Sequence, residues 1–589
     1  MRVLVTFFLE FEKEKMMRNL RVALLIVLVS VLALGACATK SNPTSSGQTS
    51  SRGPDTLHFV IGSENRAVMD DIVIPWFAQQ KAPDGNNWTA DYKVLGSVDQ
   101  KILLQSGKMV DTSGVPFNVM WPANKTWSLI GDTHHLLVDN PSPVFYTPIV
   151  LAWPAGGVID QLGWTGKSVS LDDVLAQVNT GKKLWTSNLT QSNSGAIFGI
   201  GIWNKYARND PTSPLTLDQV NDPAILANVQ KLYASVNHSA SSTGYVTDNC
   251  QAAPNCDFLV TYETLAIQNN LNAQKTKLHI AYISDVFMYS DATPQFVKNS
   301  LPDDAARQAV FNSFLAYMKT PAAVQKLIAH GERPAQGGLR LDETDATIRS
   351  IFNPDWGVNP TLKLQPITLP EGPVLEQLFY NYQVAARPAY DMVLCLDRSG
   401  SMQGDKWNEL LTGLSYITDQ NKAQAQELLS NPKDLTTFIT FSSDVTPIST
   451  VQGADYKAFG TVYQRIAATG ADGSTDIFGC LSKALDQFAS DPVVPGRRHL
   501  LLLMTDGQQT MGGSLEDYLA RWKNVPDLTV IVVGIGIDIG DINLAQLHQI
   551  ADPMKGTLIV VNTGYKPAAW NEVAADNVLS AMKQAVGSK

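Results

Sequence analysis

Hydrophobic and polar positions divide the chain into three zones. The first is one nearly unbroken apolar run, Val22 to Ala36. In the second, from about Leu57, short apolar runs end in polar turns and lead into amphipathic stretches. "LHFVIG", "YKVLG", "FNVMW", "KLWTSN", "DFLVTYE" and "LHIAYISD" read as strands there, and "PVFYTPIVLAWPAG" as a strand pair. "ARQAVFNSFLAYMKTPAAVQKLIAHG" has the 3.6 period of two helices. In the third zone, after Tyr390, the strands "YDMVLCLD", "LTTFITFSS", "HLLLLMTDG", "LTVIVVGIGI" and "TLIVVN" are almost continuously apolar. That is the pattern of parallel strands covered on both faces. "WNELLTGLSYITDQ", "SLEDYLARWKN", "NLAQLHQIAD" and "EVAADNVLSAMKQAV" read as the covering helices. Strands alternating with helices predict an α/β, doubly wound sheet, with ligands at the carboxyl ends of its strands.

Composition narrows the function. The chain has 589 residues, a net charge of −10 and no basic stripe, so nucleic acid is excluded as a partner. Charged residues make up 17%, below the roughly 25% of an average soluble domain, and Asn, Ser, Thr and Gln fill the gap as in exported proteins. No phosphate-binding Gly-rich loop occurs, which excludes ATP hydrolysis. Of the five cysteines, Cys250 and Cys256 lie in the short polar loop "DNCQAAPNCDF". They form a local disulfide if the domain is exported and are free thiols otherwise. Cys395 and Cys480 are read as core packing.

The segment "MMRNLRVALLIVLVSVLALGAC" runs from basic to apolar to small residues, the layout of a secretory signal. Its apolar run is shorter than the about 20 residues of a membrane span. Met16 or Met17 makes a tidier start than Met1. The end, Leu34-Gly35-Ala36-Cys37, resembles a bacterial lipobox, which implies lipidation of Cys37 and cleavage before it. Residues 38–54 are rich in Ser, Thr, Gly and Pro, a flexible tether. The expected organisation is a signal peptide over 1–37, the tether, one module over 55–370, a linker over 371–389 and a last module over 390–589.

Chemistry concentrates at strand ends in the last module. Asp397, Ser399 and Ser401 leave the strand "YDMVLCLD", Thr475 sits in "GSTDIFG", and Asp506 ends "HLLLLMTDG". Carboxylates and hydroxyls without His or Cys are hard ligands, suited to Mg2+ or Mn2+. "DRSGS", Thr475 and "TDG" resemble the metal-ion-dependent adhesion site of a von Willebrand factor A domain. The resemblance implies a Rossmann-like fold, Mg2+ or Mn2+ at Asp397, Ser399, Ser401, Thr475 and Asp506, and a carboxylate from a protein partner completing the shell. Asp472 and Asp476 are outer support for the metal or plain loop residues. No nucleophile–base pair is apparent, and His499 and His548 are read as structural, so catalysis is not expected.

The middle module resembles the type II periplasmic solute-binding proteins of ABC importers. "QSNSGA", "VTYE" before a helix and "SFLAYMKTPAAVQKLIAHGERPA" carry the likeness. It implies two α/β lobes closing on a ligand, with Ser63, Glu64, Gly96, Ser97, Trp121, Ser192, Ser194, Tyr262 and Glu263 facing the cleft. Ser192 to Gly195, at a helix start, suit an anion or serve only as N-caps. Glu64 and Glu263 argue against a strictly anionic ligand. Trp121 stacks a sugar or covers core. "PVLEQLFYNYQ" in the linker reads as a helix packed on either module. Together these readings describe a non-enzymatic cell-surface binding lipoprotein, lipid-anchored on the extracellular or periplasmic face. Its implied partners are a protein, a small solute and the membrane. The alternative is the substrate-binding receptor of an ABC importer, with a permease as partner.

Overall fold

The computed structural model describes residues 55–138, 142–250, 253, 256–299, 301, 303–336, 341, 344–490, 497–525, 528–562, 565, 571–575 and 577–587. The signal, Cys37 and the tether lie outside these residues. All described residues fall in one compact unit, Ser51–Lys589. No helix among them is long and apolar enough to cross a membrane.

Among the described residues, three sheets organise the fold. The first lobe is built on β1 (Thr56–Ile61), β2 (Thr89–Val94), β3 (Val119–Trp121) and β11 (Gln295–Phe296), in the order β11-β3-β1-β2. The second is built on β4 (Phe145–Pro154), β5 (Ser168–Val169), β6 (Leu184–Ser187), β7 (Val236–Ala240), β8 (Phe258–Tyr262) and β9 (Leu278–Ile283). Its path is β5-β9-β4-β8-β6-β7, and β10 (Tyr289–Ala292) and β12 (Arg333–Pro334) pair with β4. The chain crosses between lobes from β10 directly into β11. "PVFYTPIVLAWPAG" is one strand and not a pair: Pro148 interrupts nothing because β4 changes partners along its length, meeting β10 and β12 near Phe145 and β8 and β9 beyond Ile149.

The last module is a seven-stranded sheet of β13 (Ala389–Asp397), β14 (Leu435–Phe441), β15 (Val445–Gln452), β16 (Arg497–Thr505), β17 (Leu528–Ile535), β18 (Thr557–Val561) and β19 (Glu572–Ala575), in the order β15-β14-β13-β16-β17-β18-β19. All pairs are parallel except β14 with β15. Alternation along β13 explains its apolar run: Leu394 and Leu396 enter the core on one face, and Val393 and Cys395 the core on the other. In β16, Leu500, Leu502 and Met504 follow the first pair, while Leu501 and Leu503 follow the second. Each such fully buried Leu stabilises the sheet by about 1.5–3 kcal/mol. Helices Asp405–Thr418 and Val578–Gly587 cover the first face, and Ile477–Ser490 the second. Gly413 lets the first two approach, since a Cβ there would lie 2.1 Å from Val578 Cγ1.

Three local expectations change. "EVAADNVLSAMKQAV" is a strand followed by a helix, because Glu572–Ala575 completes the sheet edge. β15, short of continuous apolar residues, forms the opposite edge. Cys395 and Cys480 are packed in the core but are also disulfide-bonded, joining β13 to the helix behind it, and Cys250 is bonded to Cys256. In the linker, helix Gly372–Asn381 buries Leu375, Leu378 and Phe379 in the second lobe's core.

The two cross-links predict unequal effects. Cys395 and Cys480 are 85 residues apart, and Cys250 and Cys256 are 6 apart. Loop-closure entropy makes the first worth about 4–5 kcal/mol and the second about 2 kcal/mol. Calorimetry of Cys395→Ala/Cys480→Ala shows a much larger drop in midpoint than Cys250→Ala/Cys256→Ala; equal drops contradict this assignment.

Candidate functional site: a hard-donor cluster and a closed cleft

The donor cluster lies where β13 and β16, neighbours in the sheet, run out. Asp397 ends β13 and is fully buried. Its Oδ1 accepts the Ser399 N–H at 2.8 Å, and its Oδ2 accepts the Thr505 hydroxyl at 2.5 Å. Ser399, also fully buried, begins a tight turn over Gly400–Met402 and brings its Oγ to 3.1 Å from that of exposed Ser401. The Gly400 N–H donates to the Gly473 carbonyl at 2.9 Å, which holds the Thr475 loop against this turn. Thr475 is buried, its N–H donating to Thr510 Oγ1 at 2.8 Å.

Asp506 follows β16 and is fully buried. Its Oδ2 accepts Lys406 Nζ at 3.2 Å, while its Oδ1 has no hydrogen-bond partner. Burial, reinforced by the Asp506 charge, pushes the Asp397 carboxyl up to about 6. Two adjoining buried carboxylates, one lysine and an orphaned acceptor leave an excess of negative charge that calls for a cation. The donor set of two carboxylates and three hydroxyls fits Mg2+ or Mn2+. Among the described residues no group of three or more His, Cys, Asp or Glu is placed to hold a metal, so this set is distinguished by its hydroxyls.

The neighbouring acids hold the loops. Asp476 Oδ1 accepts the N–H groups of Gly479 and Gly513, both at 2.9 Å, and Asp472 Oδ1 accepts that of Gly473 at 2.8 Å. His548 pairs with Asp552 and Glu572, and His499 lies against Phe488.

Of the nine cleft candidates, all but Gly96 lie at 7% exposure or less, and contacts cross between the lobes. Ser63 Oγ in the first lobe accepts the Gly244 N–H of the second at 3.0 Å. The Val98 N–H donates across to the Gln191 carbonyl at 3.2 Å. Gly96 permits that approach, as a Cβ there would lie 2.1 Å from the same carbonyl oxygen. Ser97 Oγ accepts the Ala123 N–H at 3.0 Å. Ser192 and Ser194 both bond Thr243, at 3.0 and 2.7 Å, and Ser194 also bonds Ser187. Ser192 sits at the N-cap of helix Asn193–Tyr206, but its side chain makes no cap bond. Asn193, within the Ser192–Gly195 stretch, links Trp127, Tyr262 and Ser290. Tyr262 is thus tied to the serine loop.

Two candidates take structural roles. Glu263 does not offer a free carboxylate: Arg333 contacts both its oxygens, at 2.7 and 2.8 Å, and Tyr282 donates to it at 2.6 Å. Trp121 packs beside Phe145 and Phe314 as core and is not an exposed stacking plate. Buried atoms left without hydrogen-bond partners here include Glu64 Oε1, Asn65 Oδ1, Trp121 Nε1 and Glu332 Oε2. Burial pushes Glu64 up to about 7 and raises Glu332 well above the usual carboxyl range.

Residues 391–568 match the family model of the von Willebrand factor type A domain, and residues 57–333 that of bacterial extracellular solute-binding proteins. The chain therefore joins a solute-binding module to a von Willebrand A module, in that order. No curated protein matches the chain. Among solved structures, an aerotolerance-related membrane protein from Bacteroides fragilis is 18% identical over 34% of this chain and 98% of its own, with a TM-score of 0.25. The periplasmic molybdate-binding protein of Azotobacter vinelandii is 16% identical over 47% of this chain and 98% of its own, with a TM-score of 0.31. Maltose-bound MalE3 of T. maritima is 11% identical over 56% of this chain and 94% of its own, with a TM-score of 0.36.

Glu64 predicts a pH effect. Folded, it keeps its proton to about pH 7; unfolded, a Glu releases it near about 4.3. Its contribution therefore lowers stability as pH rises through that window, by at most about 4 kcal/mol. Glu64→Gln raises the melting temperature at pH 8 and leaves it unchanged at pH 4. Thermal unfolding at both values checks this, and the same wild-type–variant difference at both would contradict it.

Proposed function

We propose that this chain is a non-enzymatic binding protein of the cell envelope, in which the von Willebrand A module captures a protein partner through a divalent metal. Asp397, Ser399, Ser401, Thr475 and Asp506 hold Mg2+ or Mn2+, and a partner carboxylate completes the coordination. The carrying observation is the buried Asp506 Oδ1, an acceptor with no protein donor beside a second buried carboxylate. The metal supplies a hard positive centre. Asp397 is oriented by Thr505 and the Ser399 amide, and Ser401 at the exposed rim leaves the site approachable from outside. Cys37 anchors the protein to the membrane by lipid, with residues 38–54 as tether. Both module families are binding domains, which supports a role without turnover. The solute-binding family itself supports an extracellular or periplasmic location.

The second reading is the receptor of an ABC importer. It is favoured by Glu64, Asn65, Trp121 and Glu332, whose unpartnered atoms suit a small solute carrying both donors and acceptors. Such a solute raises the melting temperature in proportion to the logarithm of its concentration.

Isothermal titration of Mn2+ or Mg2+ into chelator-treated protein tests the metal reading. Wild type binds one ion. Asp397→Ala and Thr475→Ala weaken binding by more than the order of 10–100-fold typical of lost outer-shell groups, with circular dichroism unchanged. Wild-type affinity in Asp397→Ala ends the reading.

A further inference from the structure

The von Willebrand A module sits across the seam of the two solute-binding lobes. One residue of its closing helix, Lys583, touches both. Its Nζ binds Asp99 Oδ1 of the first lobe at 2.5 Å, and its backbone carbonyl accepts Gln191 Nε2 of the second lobe at 2.6 Å. Lys583 and Gln191 are both buried, and the Asp99 side chain is only 15% exposed. Gln191 is also the residue whose carbonyl receives the Val98 N–H across the cleft. The lobe-to-lobe contact and the module-to-lobe contact therefore share one residue.

Other ties reach each lobe separately. Toward the first, Lys101 is fully buried and pairs with Glu376 of the linker helix at 2.6 Å and with Glu427 of the von Willebrand A module at 3.7 Å. Toward the second, the Arg498 guanidinium, at the start of β16, donates to the Ala234 and Val236 carbonyls. The closing helix is itself fixed in its module. Val578, Ala581, Met582 and Ala585 lie in the module core, and the Val578 N–H donates to Glu409.

We infer that the von Willebrand A module is a latch on the solute-binding lobes, holding them shut through Lys583, so that the cleft opens only when the module undocks from at least one lobe. When Asp99 and Gln191 move apart, the rigid closing helix keeps at most one of its two contacts. Access of a solute to Glu64 and the Ser192–Ser194 loop is then set by docking of the neighbouring module. The inference does not depend on metal binding; it rests only on the two-lobed fold.

Native-state hydrogen exchange of the full chain from residue 38 tests this. The readouts are the Val98 and Gly244 amides, which cross the seam, with strands β13 and β16 as the internal control. Lys583→Met with Gln191→Leu removes both contacts and keeps helix packing. We expect exchange at the seam amides to speed up by about tenfold or more, with β13 and β16 unchanged. Asp99→Asn with Gln191→Leu leaves the von Willebrand A module untouched and gives the same local acceleration, so a general loss of fold in the first variant is not mistaken for unlatching. Seam exchange at the wild-type rate in the Asp99→Asn/Gln191→Leu protein overturns the latch, as does seam exchange in wild type as fast as in the variants.

Discussion

The structure turns on two carboxylates, Asp397 and Asp506, buried at the adjoining ends of β13 and β16. A parallel sheet covered on both faces leaves only its strand ends for polar chemistry. Both acids lie at that edge and within the low-dielectric interior. One is satisfied by a hydroxyl and an amide, and the other shares a lysine and keeps one oxygen free. Such an arrangement is costly for a protein without a cation and useful to one that binds a cation. The surrounding loops are held by hydrogen bonds from Asp472, Asp476, Gly400 and Thr510, which fix the turn after β13 and the Thr475 loop beside the buried acids.

The solute-binding module follows the opposite design. Its polar groups at the seam are mostly consumed by one another. The Ser187–Ser194–Thr243–Ser192 chain and the Asn193 junction close the loop on itself. A network of this kind makes the shut state specific. The unsatisfied atoms around Glu64 and Trp121 are where the shut state is strained by desolvation. The last module is tied to the lobes through Lys583, Arg498 and Glu427, the last of these meeting Lys101 of the first lobe. The donor cluster and the lobe seam thus lie in modules that share a buried interface, and any coupling between them is reciprocal.

Much of this was legible in the chain, for physical reasons. "DRSGS" is contiguous, follows an unbroken apolar strand, and recurs with Thr475 and Asp506 at the ends of other elements; local spacing suffices to bring such donors to one sheet edge. The cleft residues were less legible because their fate depends on partners distant in sequence. Glu263 looked like a ligand group until Arg333, 70 residues away, claimed it. Cys395 and Cys480 read as packing because each lies in an apolar run, and only the layering of helix on sheet joins them. Lys583 sits in a routine amphipathic helix, and nothing in its neighbourhood points to Asp99, 484 positions earlier. Lys406 and Thr505, which orient the two buried acids, stand beside the motif and carried no separate signal.

Native mass spectrometry of residues 38–589, purified without chelator, tests the central claim most directly. The account predicts a folded chain carrying one Mg2+ or Mn2+, lost when Asp506 is replaced by alanine. A natively folded wild-type chain that carries no divalent ion, and takes up none from added Mn2+, would contradict it.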